Sequence, residues 1–77
     1  MNGRTQEILE VLEPKIGRSL AESLLRIKCR KNGISPDNIP SDSIPLLADD
    51  LYEPLNIFAG EEFAKDLTSR IKAISAS

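Results

Sequence analysis

Cys29 lies inside the densest basic cluster of the chain, Arg26-Ile27-Lys28-Cys29-Arg30-Lys31. Cations beside a thiol lower its pKa and raise its reactivity, so this spacing is the first to test for nucleophilic or redox chemistry. Neighbours on a helix point about 100° apart, however, and the bases need not face the sulfur. Cys29 falls nearer the apolar side, beside Leu25, where a free cysteine behaves as a small hydrophobe. The cluster's second chemistry is electrostatic. With Arg18 it sets five bases on one helix, suited to phosphates or to an acidic protein surface.

Other chemistries lack their residues. The chain has no histidine, which removes the usual general base and the commonest metal ligand. One cysteine without histidine supplies no usual zinc set, and glycines 3, 17, 33 and 60 stand singly, so no phosphate-cradling loop forms. The acidic run Asp49, Asp50 and Glu53 lacks the spacing and the glycine of a calcium loop and reads as a solvated helix face. These absences imply a chain that is not an enzyme and carries no cofactor or metal.

Four helices position these residues. In 4–13, Ile8, Val11 and Leu12 share one face with Leu9 at its edge, and Thr5 or Asn2 stands where a cap belongs. Pro14 ends this helix and opens the next, 14–32, in which Ile16, Leu20, Leu24 and Ile27 form the inward ladder. Asn32-Gly33 stops it, with Gly33 in the left-handed conformation and Ile34 folded back toward Cys29. Ser35-Pro36-Asp37-Asn38 makes a turn, and Ile34 and Ile39 pin the loop to the core. The third helix, 42–58, is capped by Ser41 or Ser43 and kinked near Pro54. It buries Ile44, Leu47, Leu51, Leu55 and Phe58. The fourth, 61–74, buries Phe63, Leu67, Ile71 and Ile74 and pairs Glu61 with Lys65 and Asp66 with Arg70. Residues 75–77 fray beyond it. No strand pattern and no internal repeat is visible. The class is all-α: a compact four-helix domain spanning residues 1–77.

Charge is unevenly spread along the chain. Residues 1–36 carry seven Lys/Arg against four Asp/Glu, whereas residues 37–62 carry seven acids and no base. A core this small supplies only about 3–5 kcal/mol, and domains of this size often gain stability by associating. The expected function is therefore a protein-interaction or regulatory module, docking on a partner or forming an antiparallel homodimer. Its contact residues are Arg18, Arg26, Lys28, Arg30 and Lys31 on the second helix and Asp49, Asp50, Tyr52 and Glu53 on the third. The alternative is nucleic-acid binding through the basic end of the second helix. An acidic pI near 5.0 and a third helix without Lys or Arg argue against it. No segment reaches the ~20 apolar residues of a membrane span. The lone cysteine and the absence of a signal-peptide pattern at the N-terminus point to the cytoplasm.

Overall fold

The computed structural model describes residues 3–75. It is all-α: α1 (Gly3–Ile16), α2 (Arg18–Lys31), α3 (Ile44–Ala59) and α4 (Glu61–Ser75), with a 3-10 turn at Ser41–Ser43 leading into α3. No strand occurs among the described residues. The body measures 28 × 24 × 19 Å, and its shortest dimension is two helix diameters of about 10 Å each. α3 and α4 form the most closely packed pair, α1 lies against α2 and α4, and α2 rests on α3.

The first corner lies at Gly17, three residues beyond the expected Pro14. Pro14 sits in the last turn of α1, which continues to Ile16 and closes with the Gly17 amide on the Glu13 carbonyl at 2.9 Å. Proline removes the bond to the carbonyl four residues back, here Glu10. Both residues are exposed, and the helix continues past the proline to Ile16. Gly17 then takes φ 84°, ψ 159°, and its carbonyl accepts the Ala21 amide at 3.1 Å to start α2. A side chain rarely adopts that conformation, so glycine sets the corner. Gly60 repeats the device at φ 91°, ψ 162°, bonding back to Asn56 and forward to Ala64. α3 runs as one helix through Pro54.

The face that α2 buries differs in part from the expected one. Its buried face is Ala21, Leu24, Leu25 and Cys29. The expected ladder of Ile16, Leu20, Leu24 and Ile27 is only partly inward: Ile16 and Leu20 are half-buried, and Ile27 is 58% exposed. In α3, Ile44, Leu47, Leu51 and Leu55 are fully buried as expected, joined by Ala48. In α4, Leu67 and Ile71 are buried with Ala64 and Thr68, and Ile74 is half-buried. Phe58 and Phe63, expected in the core, are both exposed.

The two glycine corners bring out an internal repeat that the pass along the sequence missed. Superposing Gly17 on Gly60 matches Ile8 with Leu51, Leu12 with Leu55, Ala21 with Ala64 and Leu24 with Leu67, every one buried. Both halves therefore carry Leu-x4-Gly-x3-Ala-x2-Leu, with the apolar positions on one side of each corner and a small residue one turn after it.

The expected end of α2 forms in full. The Ile34 amide donates to the Cys29 carbonyl at 2.8 Å and the Gly33 amide to the Arg30 carbonyl at 3.2 Å, with Gly33 at φ 68°. This is a Schellman cap. The Asn38 amide closes the turn on the Ser35 carbonyl at 3.1 Å, and Ile39 is fully buried beneath it. Two expected caps do not form. Ser43 occupies the position before α3 without a side-chain capping bond. Thr5 lies inside α1 and donates to the Pro36 carbonyl at 2.8 Å, tying α1 to the loop. Of the residues expected to fray, Ser75 is the last residue of α4, and 76–77, like Asn2, lie outside the described residues.

Candidate functional site

Two of the three acids of α3 reach neighbouring elements of the fold. Asp49 and Asp50 are neighbours, so their side chains leave the helix about 100° apart and reach different partners. Asp49 Oδ1 meets Lys72 Nζ of α4 at 2.8 Å. Asp50 Oδ2 accepts Asn32 Nδ2 at 2.7 Å, and its Oδ1 lies 3.9 Å from Lys31 Nζ. Asn32 Nδ2 also donates to the Lys28 carbonyl at 2.8 Å, so one amide group caps α2 and anchors it to α3. The acidic counterpart that the basic end of α2 calls for lies in the same molecule.

Arg18 is likewise committed within the chain. Its Nε lies 2.8 Å from Glu22 Oε1, Nη1 3.7 Å from Glu13, and Nη2 3.2 Å from Gln6 Oε1. The hydrogen bond to Glu22 comes first among the causes that raise its pKa, against some lost solvation. The residue straps α1 to α2 across the Gly17 corner. Arg26 and Arg30 are exposed and Lys28 is half-buried. None of the three has an acid within 4.0 Å among the described residues. Tyr52 is half-buried against the core and Glu53 is exposed. The nine residues read from the sequence as one contact surface thus divide into internal ties (Arg18, Lys31, Asp49, Asp50), a packing residue (Tyr52) and outward charges (Arg26, Lys28, Arg30, Glu53).

Cys29 is fully buried. Loss of solvent pushes its thiol above the ordinary range, opposite to what facing cations would do. Among the described residues no three His, Cys, Asp or Glu side chains converge to hold a metal ion, and no helix is long and apolar enough to cross a membrane.

The surface that sequence reasoning missed is apolar. At the end of α3, Ile57 is 74% exposed and Phe58 58%; across the Gly60 corner, Phe63 is 44% exposed. Lys15 Nζ, from the last turn of α1, lies 4.0 Å from the centroid of the Phe63 ring, a cation–π contact. Lys15 is also at the lip of a groove between α1 and α4 of about 350 Å³, whose apolar lining is Val11, Pro14, Leu67 and Ile74. Glu7 and Glu10 line it from α1 and Arg70 from α4. The Ile57-Phe58 dipeptide was at most a weak signal, because the adjacent apolar pairs Ile8-Leu9 and Leu24-Leu25 are buried whole. Measured against protein families, curated proteins and solved structures, the chain matches none.

Proposed function

We propose that this chain is a self-associating interaction module: a homodimer in which each copy sets Ile57 and Phe58 into the α1–α4 groove of the other. The observation that carries the reading is the exposure of these two adjacent side chains on a chain that also carries an apolar-lined groove between α1 and α4. A projection and a receiving groove on one chain close into a dimer when a two-fold axis relates the copies. Glu7 and Glu10 line the groove beside Lys15 and Arg70, and Arg70 is already paired with Asp66, so the contact rests on its apolar side chains rather than on charge. The contact moves away from the surface expected on the sequence, because Asp49 and Asp50 are engaged within the chain. The reading places the chain in the cytoplasm, in a regulatory or scaffolding role without catalysis.

Full burial of an Ile or Phe side chain is worth roughly 1.5–3 kcal/mol. Four such side chains across the two-fold must offset an association cost of about 4–15 kcal/mol, so the dimer is a weak one. Analytical ultracentrifugation of the whole chain up to ~1 mM, the concentration that corresponds to about 4 kcal/mol, is the test. The wild type is expected to dimerise, and Ile57→Asp and Phe58→Asp are expected to be monomers with unchanged circular dichroism. A wild type that stays monomeric at ~1 mM, or aspartate variants that dimerise equally well, would sink the reading.

A further inference from the structure

A second cavity, of about 230 Å³, lies between α1, α2 and the loop that follows α2. Its apolar lining is Pro36 with the nearly buried Leu9 and Leu25, and its polar lining includes Arg26, Arg30 and Asp37. Its wall is built before any ligand arrives. Thr5 ties Pro36 to α1 at 2.8 Å, the Asn38 amide closes the turn on Ser35, and Ile39 anchors the loop in the core. A preformed wall spares a ligand the cost of ordering the loop.

Five of the chain's ten cations are paired with an acid, and among the described residues the two at this pocket, like Arg4, Lys15 and Lys28, are not. Arg18, Lys31, Lys65, Arg70 and Lys72 each have an acid within 4.0 Å. Arg26 and Arg30 have none among the described residues, although they stand one turn apart on the same helix. Like charges at that spacing are mildly destabilising, by a few tenths of a kcal/mol. Asp37 has no cation within that distance either, and Glu22, also on the lining, has its carboxylate occupied by Arg18 at 2.8 Å. The uncommitted charges at this pocket are thus two cations and one anion beside an aliphatic lining. The volume lies below the ~300–1,000 Å³ of sites for drug-sized ligands, which points to a ligand of metabolite size.

We propose that this pocket binds a small zwitterion with an aliphatic body, the class of a free branched-chain α-amino acid. Its carboxylate meets the guanidinium groups of Arg26 and Arg30, a pairing that planar geometry and charge favour. Its ammonium group meets Asp37, and its side chain lies on Leu9, Leu25 and Pro36. A phosphate dianion fits worse, because Asp37 and Glu22 repel its second charge. The pocket uses a face separate from the α3–α4 corner, and the inference stands whether or not the chain dimerises.

The test is a titration of the full chain with L-leucine, followed by 15N–1H correlation spectra. Two analogues accompany it: 4-methylpentanoate, which lacks the ammonium group, and 3-methylbutylamine, which lacks the carboxylate. L-Leucine is expected to shift the amides of Thr5, Leu25 to Arg30 and Asp37 saturably, with a dissociation constant of order 1–10 mM. Each analogue is expected to bind at least about tenfold more weakly, and Arg26→Gln or Arg30→Gln to weaken leucine about tenfold, as loss of one charged hydrogen bond implies. Both arginines are exposed, so unshifted spectra elsewhere verify that the variants fold. Absence of a saturable shift at ~50 mM leucine, equal binding of either analogue or of inorganic phosphate, or variants that bind as well as the wild type would each overturn the proposal.

Discussion

Substituting alanine at Gly60 isolates backbone strain from every other effect. No heavy atom lies within 4 Å of a Cβ built there, so the new methyl group meets nothing beyond its chain neighbours. What it meets is its own backbone: φ 91° with ψ 162° borders a region that only glycine populates freely, where strain costs roughly 1–3 kcal/mol. Alanine also narrows the unfolded ensemble, which returns about 0.4–1 kcal/mol. The net loss is then about 1–2 kcal/mol, a large part of the roughly 3–5 kcal/mol a core of this size supplies. At about 4–8 °C per kcal/mol, the melting temperature falls by roughly 5–15 °C. Gly17, at φ 84° and ψ 159° with the same open surroundings, is expected to lose the same amount. Gly33 provides the control. Its φ of 68° within a Schellman cap is left-handed helical, a conformation that asparagine tolerates. Gly33→Asn is therefore expected to be milder than Gly33→Ala, whereas asparagine at Gly60 brings no relief. Urea unfolding followed by far-ultraviolet circular dichroism measures all five variants. Alanine at Gly17 or Gly60 within about 0.5 kcal/mol of wild type, the usual spread of surface changes, would refute the strain argument. So would relief by asparagine at Gly60 as large as at Gly33.

Two further outcomes follow from buried groups. Burial raises the Cys29 thiol pKa in the folded state, so as pH rises the unfolded chain loses its proton first. The stability from keeping the thiol neutral is full below about pH 8.5 and is lost above it, at up to ~1.4 kcal/mol per pH unit, until the folded thiol ionises. Equilibrium unfolding between pH 7 and 10 is expected to show this decline in the wild type and a flatter profile in Cys29→Ala; parallel profiles would contradict it. Thr5→Val keeps the shape of the side chain but removes the donor to the Pro36 carbonyl, a loss of about 1 kcal/mol. Thr5→Ser is expected to keep most of that stability, and amide exchange at Asn38 and Ile39 is expected to quicken in the valine variant alone.

The helical class was legible because each helix carries apolar residues three and four apart and each boundary carries a proline or glycine. Proline and glycine were harder to tell apart as corners. A proline whose lost carbonyl partner is exposed costs a helix little at its last turn, and Pro14 and Pro54 both lie within helices. A glycine at ψ near 160° changes the chain's direction outright. The buried face of α2 takes in Cys29 and Leu25, which the sequence already placed toward the apolar side, and leaves out Ile27, which the expected ladder included. Phe58 followed the periodicity of α3 yet lies exposed, because the helix outruns the core at its last turn. Periodicity states which residues share a face and is silent on where the opposing layer ends. The repeat was also present in the sequence, but its five shared positions are spread over residues 8–24 and 51–67 and gain meaning only once Gly17 and Gly60 are known to hold one conformation.

Charge shows why the candidate site resisted reading along the chain. Read linearly, a basic half precedes an acidic stretch, which suggested a molecule with two opposed poles. Folding brings the two together: Asp50 reaches back to Lys31 and Asn32, and Asp49 reaches forward to Lys72. The informative charges are those the fold leaves without an opposite, because a charge paired within the chain has half its interaction already satisfied. By that criterion the basic cluster of α2 shortens to Arg26, Lys28 and Arg30, and the two arginines share a pocket with Asp37. Deducing this from sequence requires knowing that the loop after α2 folds back over α1, a placement set by one threonine hydroxyl and one buried isoleucine. The two proposals accordingly fall on residues that packing and ion pairs do not occupy: Ile57 and Phe58 at one corner, Arg26 and Arg30 on another face.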